Sequence, residues 1–172
     1  MTTTAFQYIT FELADELFAV NVDQVLEILE IARITSLPKA PDFLRGVINV
    51  RGKAIPVVDL RVRFGLPRAA DSVYTRIIVL ELVLERETIV LGAVADSVHE
   101  VIEIEAGSID PPPKFGMRWR TDFLQGISRR GDSFIIVLDA KAVFSSEEAA
   151  YLGEATVAAA EESTGGPASG PG

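Results

Sequence analysis

Side chains that could do acid–base or metal chemistry are few in this sequence. Asp96, His99 and Glu100 lie within five positions, a spacing that could be drawn as an acid–base cluster or a sparse metal site. His99 is the sole histidine and there is no cysteine, so thiol nucleophiles, disulfides and thiolate metal sites are excluded. Strand alternation predicts that Val98 and Val101 point inward around a bulge, which leaves His99 and Glu100 facing solvent or an interface. We therefore do not interpret this cluster as catalytic.

Two aspartates stand at matching strand ends. Asp59 and Asp139 each close a short apolar run, an arrangement from which a carboxylate dyad sharing a proton could arise. Carboxylates also occur at strand ends because they accept backbone N–H groups where strand pairing stops, and we favour this structural interpretation. The sequence has no G-x-x-x-x-G-K-S/T phosphate loop, no G-x-G-x-x-G motif and no G-x-S-x-G nucleophile elbow. No enzyme activity, cofactor or metal is predicted.

The net charge weighs against a nucleic-acid partner. The chain has 16 basic and 25 acidic residues, a formal charge of −9, whereas affinity for phosphate backbones comes mostly from lysine and arginine. The basic block from Arg33 to Arg68 could still form a nucleic-acid surface on a small barrel. Its aromatic residues are Phe43 and Phe64 alone, so base stacking is poorly supplied. A small-barrel nucleic-acid-binding protein is kept as the alternative function.

The charge pattern repeats along the chain and indicates an internal duplication. Acidic segments (1–30, 69–113 and 142–172) alternate with basic ones (31–68 and 114–141). At an offset of eighty residues, Phe43-Leu-Arg-Gly46 falls on Phe123-Leu-Gln-Gly126, and Asp59 falls on Asp139. Shared apolar alternation alone does not account for these matches, because Phe-Leu-x-Gly and the terminal aspartate lie outside it. We interpret the chain as two homologous halves.

Each half has the pattern of short β-strands bounded by turns. The predicted strands of the first half are 6–13, 17–22, 25–34, 46–51 and 54–58, and those of the second are 76–84, 88–95, 98–105, 126–128 and 133–138. Gly52 and Gly131 supply the positive φ that tight hairpins need. A five-stranded sheet this short cannot cover both of its faces, so each half is expected to curl into a small barrel that packs on the other.

One folded domain is expected over residues 1–152. Within it, subdomain one spans about 6–68 and subdomain two about 73–144, and strand exchange between them is left open. Ser145-Ser-Glu-Glu148 resembles a capping box and predicts a short C-terminal helix through Leu152. Residues 153–172 are acidic and rich in glycine and alanine, with too little apolar area to offset ordering entropy, so this segment is predicted to be disordered.

Cellular location follows from what the sequence lacks. No stretch approaches the roughly 20 apolar residues of a membrane helix, and the N-terminus has neither the basic patch nor the apolar run of a signal peptide. We predict a cytoplasmic protein.

Three stretches together resemble the CheW family of bacterial chemotaxis coupling proteins. They are Phe18 to Ile28, Leu37 to Gly52 and Ile55 to Arg61, with Val94 to Val98 and Phe123 to Gly126 as second-half landmarks. The resemblance runs from about Phe6 to Leu152. It implies a mainly β fold of two SH3-like five-stranded barrels. It also implies a non-catalytic scaffold, recruited to membrane-associated arrays, that couples methyl-accepting chemoreceptors to the histidine kinase CheA, whose regulatory domain has the same fold.

The same resemblance assigns binding residues. The family's receptor-binding groove falls on Val25, Glu27, Arg51, Gly52, Ile77 and Gly92, and its kinase contact on Arg45 and Gly46. Gly46 and Gly92 are interpreted as positions where only a hydrogen atom fits. Leu29 and Glu30 depart from the family pattern, in which a basic residue and a glycine commonly follow the Glu-Ile pair. The charge at the rim of the groove is therefore expected to differ.

Overall fold

The structure is a computed structural model. It describes residues 4–31, 33–67, 70–84, 87–111, 123–145 and 147–153. The strands are β1 (Ala5–Leu13), β2 (Glu16–Asn21), β3 (Val25–Glu30), β4 (Leu44–Val50), β5 (Lys53–Asp59), β6 (Arg76–Val83), β7 (Thr88–Ala95), β8 (Ser97–Glu105), β9 (Ile109–Asp110), β10 (Leu124–Arg130) and β11 (Ser133–Leu138). Helix α1 is Leu60–Phe64, and a second helix, α2, spans 147–153. Three 3₁₀ turns cover Val22–Gln24, Ala106–Ser108 and Ala140–Ala142.

Both sheets take strands from both halves of the chain. One sheet has six strands in the order β8-β1-β2-β11-β10-β9, and the other has five in the order β3-β6-β7-β5-β4. Strand pairing is antiparallel except between β2 and β11 and between β5 and β7. Because β1 and β2 pair with late strands and β6 and β7 with early ones, strands are exchanged across the boundary expected near residues 68–73.

The two sheets repeat one backbone pattern. The Asp59 N–H donates to the carbonyl of Phe43 (2.7 Å), and the Asp139 N–H donates to that of Phe123 (2.9 Å). The register slips at the same place in both hairpins, immediately before Gly46 in β4 and before Gly126 in β10. The duplication that the sequence predicts is confirmed at the level of backbone hydrogen bonds.

Apolar side chains form three clusters. Tyr8, Ala19, Ile102, Ile104, Ile135 and Val137 pack on the six-stranded sheet, and Ile48, Ile55, Val57, Ile77, Val79 and Val94 pack on the five-stranded one. The third and largest cluster draws on both sheets and joins them. At its centre Phe64 stacks on Phe18 (centroids 5.9 Å apart) and packs at a tilt of 36° on Phe123 (5.4 Å), so α1 is the bridge between the barrels.

Ten strands lie close to their predicted positions, and the differences have local causes. The strand predicted over 25–34 ends at Glu30. Strand β9 and helix α1 are not predicted, because two and five residues are too few to show a period. Helix α1 depends on its caps instead: the Asp59 carboxylate accepts from the Arg61 N–H (3.0 Å), and Gly65 ends the helix at φ 74°.

Helix α2 begins with the predicted capping box. The Glu148 N–H donates to the Ser145 hydroxyl (3.1 Å), and the Ser145 N–H donates to the Glu148 carboxylate (2.8 Å). Arg63 holds that carboxylate at 2.6 Å, and Leu152 is fully buried in the joining cluster. The short C-terminal helix is confirmed, whereas the segment predicted to be disordered lies, after Gly153, outside the described residues.

No helix among the described residues is long and apolar enough to cross a membrane.

Candidate functional site

A groove of about 580 Å³ opens on the five-stranded barrel. Its apolar lining comes from Leu26, Val50, Ala54, Ile55, Val79, Ile89 and Val90. Its charged lining comes from Glu27, Arg51, Lys53, Glu81 and Glu87. A largely apolar trough with charges of both signs is suited to a protein segment that buries one face and keeps polar edges.

The β4–β5 hairpin places Arg51 at this groove. Its two-residue loop puts both Arg51 (φ 51°) and Gly52 (φ 83°) in the left-handed region, as a type I′ turn requires. The side chain of Asn49 fixes the turn by accepting from the Gly52 N–H (2.8 Å). The predicted positive φ is confirmed for Gly52 and, in the β10–β11 hairpin, for Gly131 (φ 62°).

Arg51 forms a two-pronged ion pair with Glu27. Its Nη1 donates to Oε2 at 2.6 Å and its Nη2 to Oε1 at 3.2 Å, which ties the hairpin to β3. The Arg51 side chain is nevertheless 78% exposed. The Glu27 side chain is 22% exposed and stays in contact with water. Surface pairs of this kind stabilise a fold by about 0–1 kcal/mol, so the guanidinium can exchange Glu27 for a carboxylate or carbonyl of a partner at a cost of about 1 kcal/mol or less.

The other predicted groove residues lie elsewhere. Val25 is half-buried and packs on the cluster that joins the sheets. Ile77 is fully buried, and a Cβ on Gly92 would stand 2.6 Å from its Cγ2. The expectation that these last two line a groove is corrected: Ile77 and Gly92 are both buried and face each other across the β6–β7 pair, so neither reaches the groove surface. Gly92 is confirmed as a position where only hydrogen fits.

The residues predicted to contact a kinase lie on the edge strand β4. Arg45 is partly exposed and donates to both carboxylate oxygens of Asp71, at 3.1 and 2.9 Å. Gly46 is buried at φ 145°, and a Cβ there would stand 2.1 Å from the carbonyl oxygen of Thr35. Gly46 therefore has no side-chain surface to offer; it permits the close approach of Thr35 to β4, as the hydrogen-only interpretation predicts.

Arg45 controls the titration of Asp71. Its hydrogen bonds hold the pKa of Asp71 below the ordinary value, against a smaller upward effect of burial. Since the folded pKa is depressed, the pair stabilises the fold above the unfolded pKa of about 3.9, and this contribution is lost as pH falls through the folded pKa. Both side chains are about one-third exposed, so its size is at most about 1 kcal/mol.

We expect Arg45→Gln to raise the pKa of Asp71 towards its ordinary value, as measured by carboxyl-carbon NMR titration. The matched control is Arg51→Gln, which removes an arginine from the same hairpin and should leave Asp71 unchanged. An Asp71 titration identical in Arg45→Gln and the unmodified chain would contradict the assigned cause.

The cluster around His99 is dispersed. His99 Nε2 lies 3.1 Å from the Glu12 carboxylate on the protein surface, and the Glu100 side chain is exposed. At the bulge, His99 and Glu100 of β8 both stand opposite Thr10 of β1. Val101 points outward and is 54% exposed, so its predicted inward direction is wrong. Within the part of the chain that the structure describes, no group of three His, Cys, Asp or Glu residues could hold a metal.

Asp59 and Asp139 do not converge as a dyad. Asp59 is buried and accepts from the Arg61 Nε and Nη2, both at 3.0 Å, whereas Asp139 is exposed. Arg61 also donates to Asp96 (2.7 Å), whose other oxygen accepts from the Ala14 N–H (2.8 Å). The hydrogen bonding of Arg61 to the Asp59 carboxylate outweighs burial and raises the pKa of Arg61 above its already high ordinary value. The structural interpretation of Asp59 is supported.

Several groove residues have no counterpart in the sequence-based assignment. Leu26, Lys53, Glu81 and Glu87 line the groove. Of these, Leu26 could have been found from the sequence, because it is a large apolar residue on the outward-facing phase of β3. In the structure its side chain is 52% exposed.

The protein has a two-barrel scaffold fold. Its two SH3-like barrels are joined by exchanged strands, and one of them carries an open groove. The CheW-like domain family matches residues 7–148. The chain is 32% identical to a chemotaxis protein CheW of Klebsiella aerogenes over 87% of this chain and 88% of the relative. It is 31% identical to that of Treponema pallidum, over 83% and 84%. The solved scaffolding protein TtCheW of Thermoanaerobacter tengcongensis superposes with a TM-score of 0.75 and 35% identity, over 86% and 92% of the two chains.

The chain therefore belongs to the CheW-like family of chemotaxis scaffold proteins. This result favours the scaffold over the nucleic-acid-binding alternative.

Proposed function

We propose that this protein couples methyl-accepting chemoreceptors to the histidine kinase CheA, as a non-catalytic scaffold in signalling arrays. The observation that carries the proposal is the groove in which Glu27, Arg51 and Gly52 meet an apolar trough. In this proposal the protein acts in the cytoplasm and reaches membrane-associated arrays by binding receptor tips, without inserting into the membrane.

The groove suits the cytoplasmic tip of a receptor, which is a helical hairpin. Helix-in-groove recognition needs an apolar surface for one helix face and a few polar groups that fix register. Leu26, Ile55 and Val90 are among the residues that supply the first, and the Arg51 guanidinium, with its planar fork, supplies the second.

In this proposal the kinase contacts the protein around Arg45. Strand β4 is an edge of the five-stranded sheet, where it carries the bridge to Thr35, and Arg45 is a partly exposed side chain on this edge. Asp71 holds Arg45 in one orientation, which lowers the entropy cost of using it at an interface. A kinase regulatory domain of the same fold would meet this edge, while the receptor occupies the groove.

We expect Arg51→Glu to weaken binding of a receptor cytoplasmic fragment by about tenfold or more. The substitution removes the planar guanidinium and sets a new carboxylate against that of Glu27. The melting temperature should change by less than about 4 °C, since the Arg51 side chain is exposed and its pair with Glu27 contributes at most about 1 kcal/mol. Titration calorimetry and thermal unfolding of the same samples measure the two effects.

The matched control is Arg130→Glu. Arg130 is exposed in the corresponding hairpin of the other barrel, and this variant makes the same change in net charge. It should bind the receptor fragment normally. Unimpaired binding by Arg51→Glu, or equal losses in both variants, would count against the groove as the receptor site.

A further inference from the structure

Helix α2 leads to the groove, which the chain reaches at Gly153. The capping box at Ser145, the Arg63–Glu148 pair and the buried Leu152 anchor the helix to the joining cluster. Gly153, at its end, is itself part of the groove lining. A Cβ on Gly153 would stand 3.8 Å from a carboxylate oxygen of Glu87.

The segment that follows is outside the CheW-like match, which ends at residue 148. We call residues 154–172 the tail. After Glu154 the tail runs Ala155-Thr-Val-Ala-Ala-Ala160 and then carries two acids, Glu161 and Glu162. An apolar run followed by a pair of carboxylates is thus tethered at one side of the groove.

The groove matches this order of residues. Glu81 and Glu87, on β6 and just before β7, give acidic character to the side where the tail starts, which disfavours Glu161 and Glu162 on that side, although Glu154 must start there. The apolar lining comes from all five strands. Lys53 and Arg51 supply the basic groups from the β4–β5 hairpin, and Arg51 would have to exchange its partner Glu27 for a tail carboxylate. Glu161 lies eight residues after Gly153, so an extended chain would carry it roughly 25 Å, ample for crossing the groove.

We propose that the tail is an intramolecular ligand of the groove: its apolar run lies in the trough, and Glu161 and Glu162 pair with Arg51 and Lys53. Tethering gives the tail an effective concentration in the millimolar range, so a weak contact is enough to occupy the groove for part of the time. If the groove binds receptor tips, which rests on the function proposed above, the tail competes with them and sets their apparent affinity.

The absence of cysteine in the chain permits a direct test on the full-length protein. A nitroxide on a Ser163→Cys variant should broaden the amide signals of Gly52 and Lys53. Adding Glu161→Lys and Glu162→Lys should reduce this broadening at least twofold, and signals of the other barrel, such as Phe134, should not change. The matched control adds Glu103→Lys and Glu105→Lys, the same charge change on the exposed face of β8, and should leave the broadening intact.

Equal broadening at Gly52 and Lys53 with and without the two tail substitutions would overturn the inference, because a tether alone would then explain the signal. A second readout separates the inference from the proposed function. In the receptor-fragment assay, the tail substitutions should raise affinity about two- to tenfold. A tail contact that the receptor fragment fails to displace would sustain the inference and contradict the receptor groove. If the broadening at Gly52 and Lys53 does not depend on the tail acids, while Arg51→Glu still binds the receptor fragment poorly, the inference fails and the receptor groove is kept.

Discussion

Replacing Arg61 with leucine is expected to lower the free energy of unfolding by about 3–5 kcal/mol. The Arg61 side chain is 2% exposed and makes hydrogen bonds to two carboxylates, of which Asp59 is 1% exposed. Leucine would leave the Asp59 charge buried without its partner, and desolvated charges are costly unless they are paired. Urea denaturation followed by circular dichroism measures the change.

The loss should be large because Arg61 connects separate parts of the fold. It follows β5 in the five-stranded sheet, while Asp96 stands where β7 passes to β8 and accepts from the backbone of Ala14 in the β1–β2 turn. Through Asp96, one guanidinium therefore links α1 to a hairpin of the other sheet. Arg61→Lys, which keeps the charge and loses the fork, should have an intermediate effect.

The exposed Arg33 provides the control for Arg61, since Arg33→Leu should change the free energy of unfolding by about 0.5 kcal/mol or less. Combining Asp59→Asn with Arg61→Leu should cost clearly less than the sum of the single changes, because Asp59→Asn removes the buried charge that Arg61→Leu leaves without its guanidinium. A loss below about 1 kcal/mol for Arg61→Leu, or strict additivity, would contradict this account.

Local patterns were sufficient to predict ten of the eleven strands that the structure describes, and the hairpin turns. Alternation defines β1 and β6 to within one or two residues, and turn glycines mark the β4–β5 and β10–β11 hairpins. The capping box at Ser145 is equally local. In each case the residues that determine the structure lie within a few positions of one another.

Contacts between distant segments were not accessible in the same way. Arg61 and Asp96 are 35 residues apart, and no local signal pairs them. The family resemblance assigned Ile77 to the groove. The local pattern could not correct this assignment, because an apolar residue on a strand has the same pattern whether it lines a groove or fills a core. The exchange of strands likewise depends on which sheet each hairpin joins, and local alternation is identical in both.

The strongest backbone constraint lies at the two glycines that the duplication pairs. Gly46→Ala is expected to lower the free energy of unfolding by about 3–5 kcal/mol, because its Cβ would stand 2.1 Å from the Thr35 carbonyl oxygen and its φ of 145° strains an L-residue. Gly126→Ala is expected to cost about 2–3 kcal/mol, because its Cβ would stand 2.2 Å from the Asp110 carbonyl oxygen without a positive φ.

Denaturant unfolding of both variants, with Gly107→Ala as the control, tests this comparison. Nothing lies within 4 Å of a Cβ on Gly107, so that variant should unfold as the unmodified protein does or slightly later. Since Gly46 and Gly126 meet the same kind of obstacle, a crossing backbone carbonyl, the difference between their effects isolates the cost of the left-handed backbone at Gly46. Equal losses would show that steric contact alone decides both sites. A neutral Gly126→Ala would show that the segment around Asp110 yields, and that the two barrels share a sequence motif without sharing its rigidity.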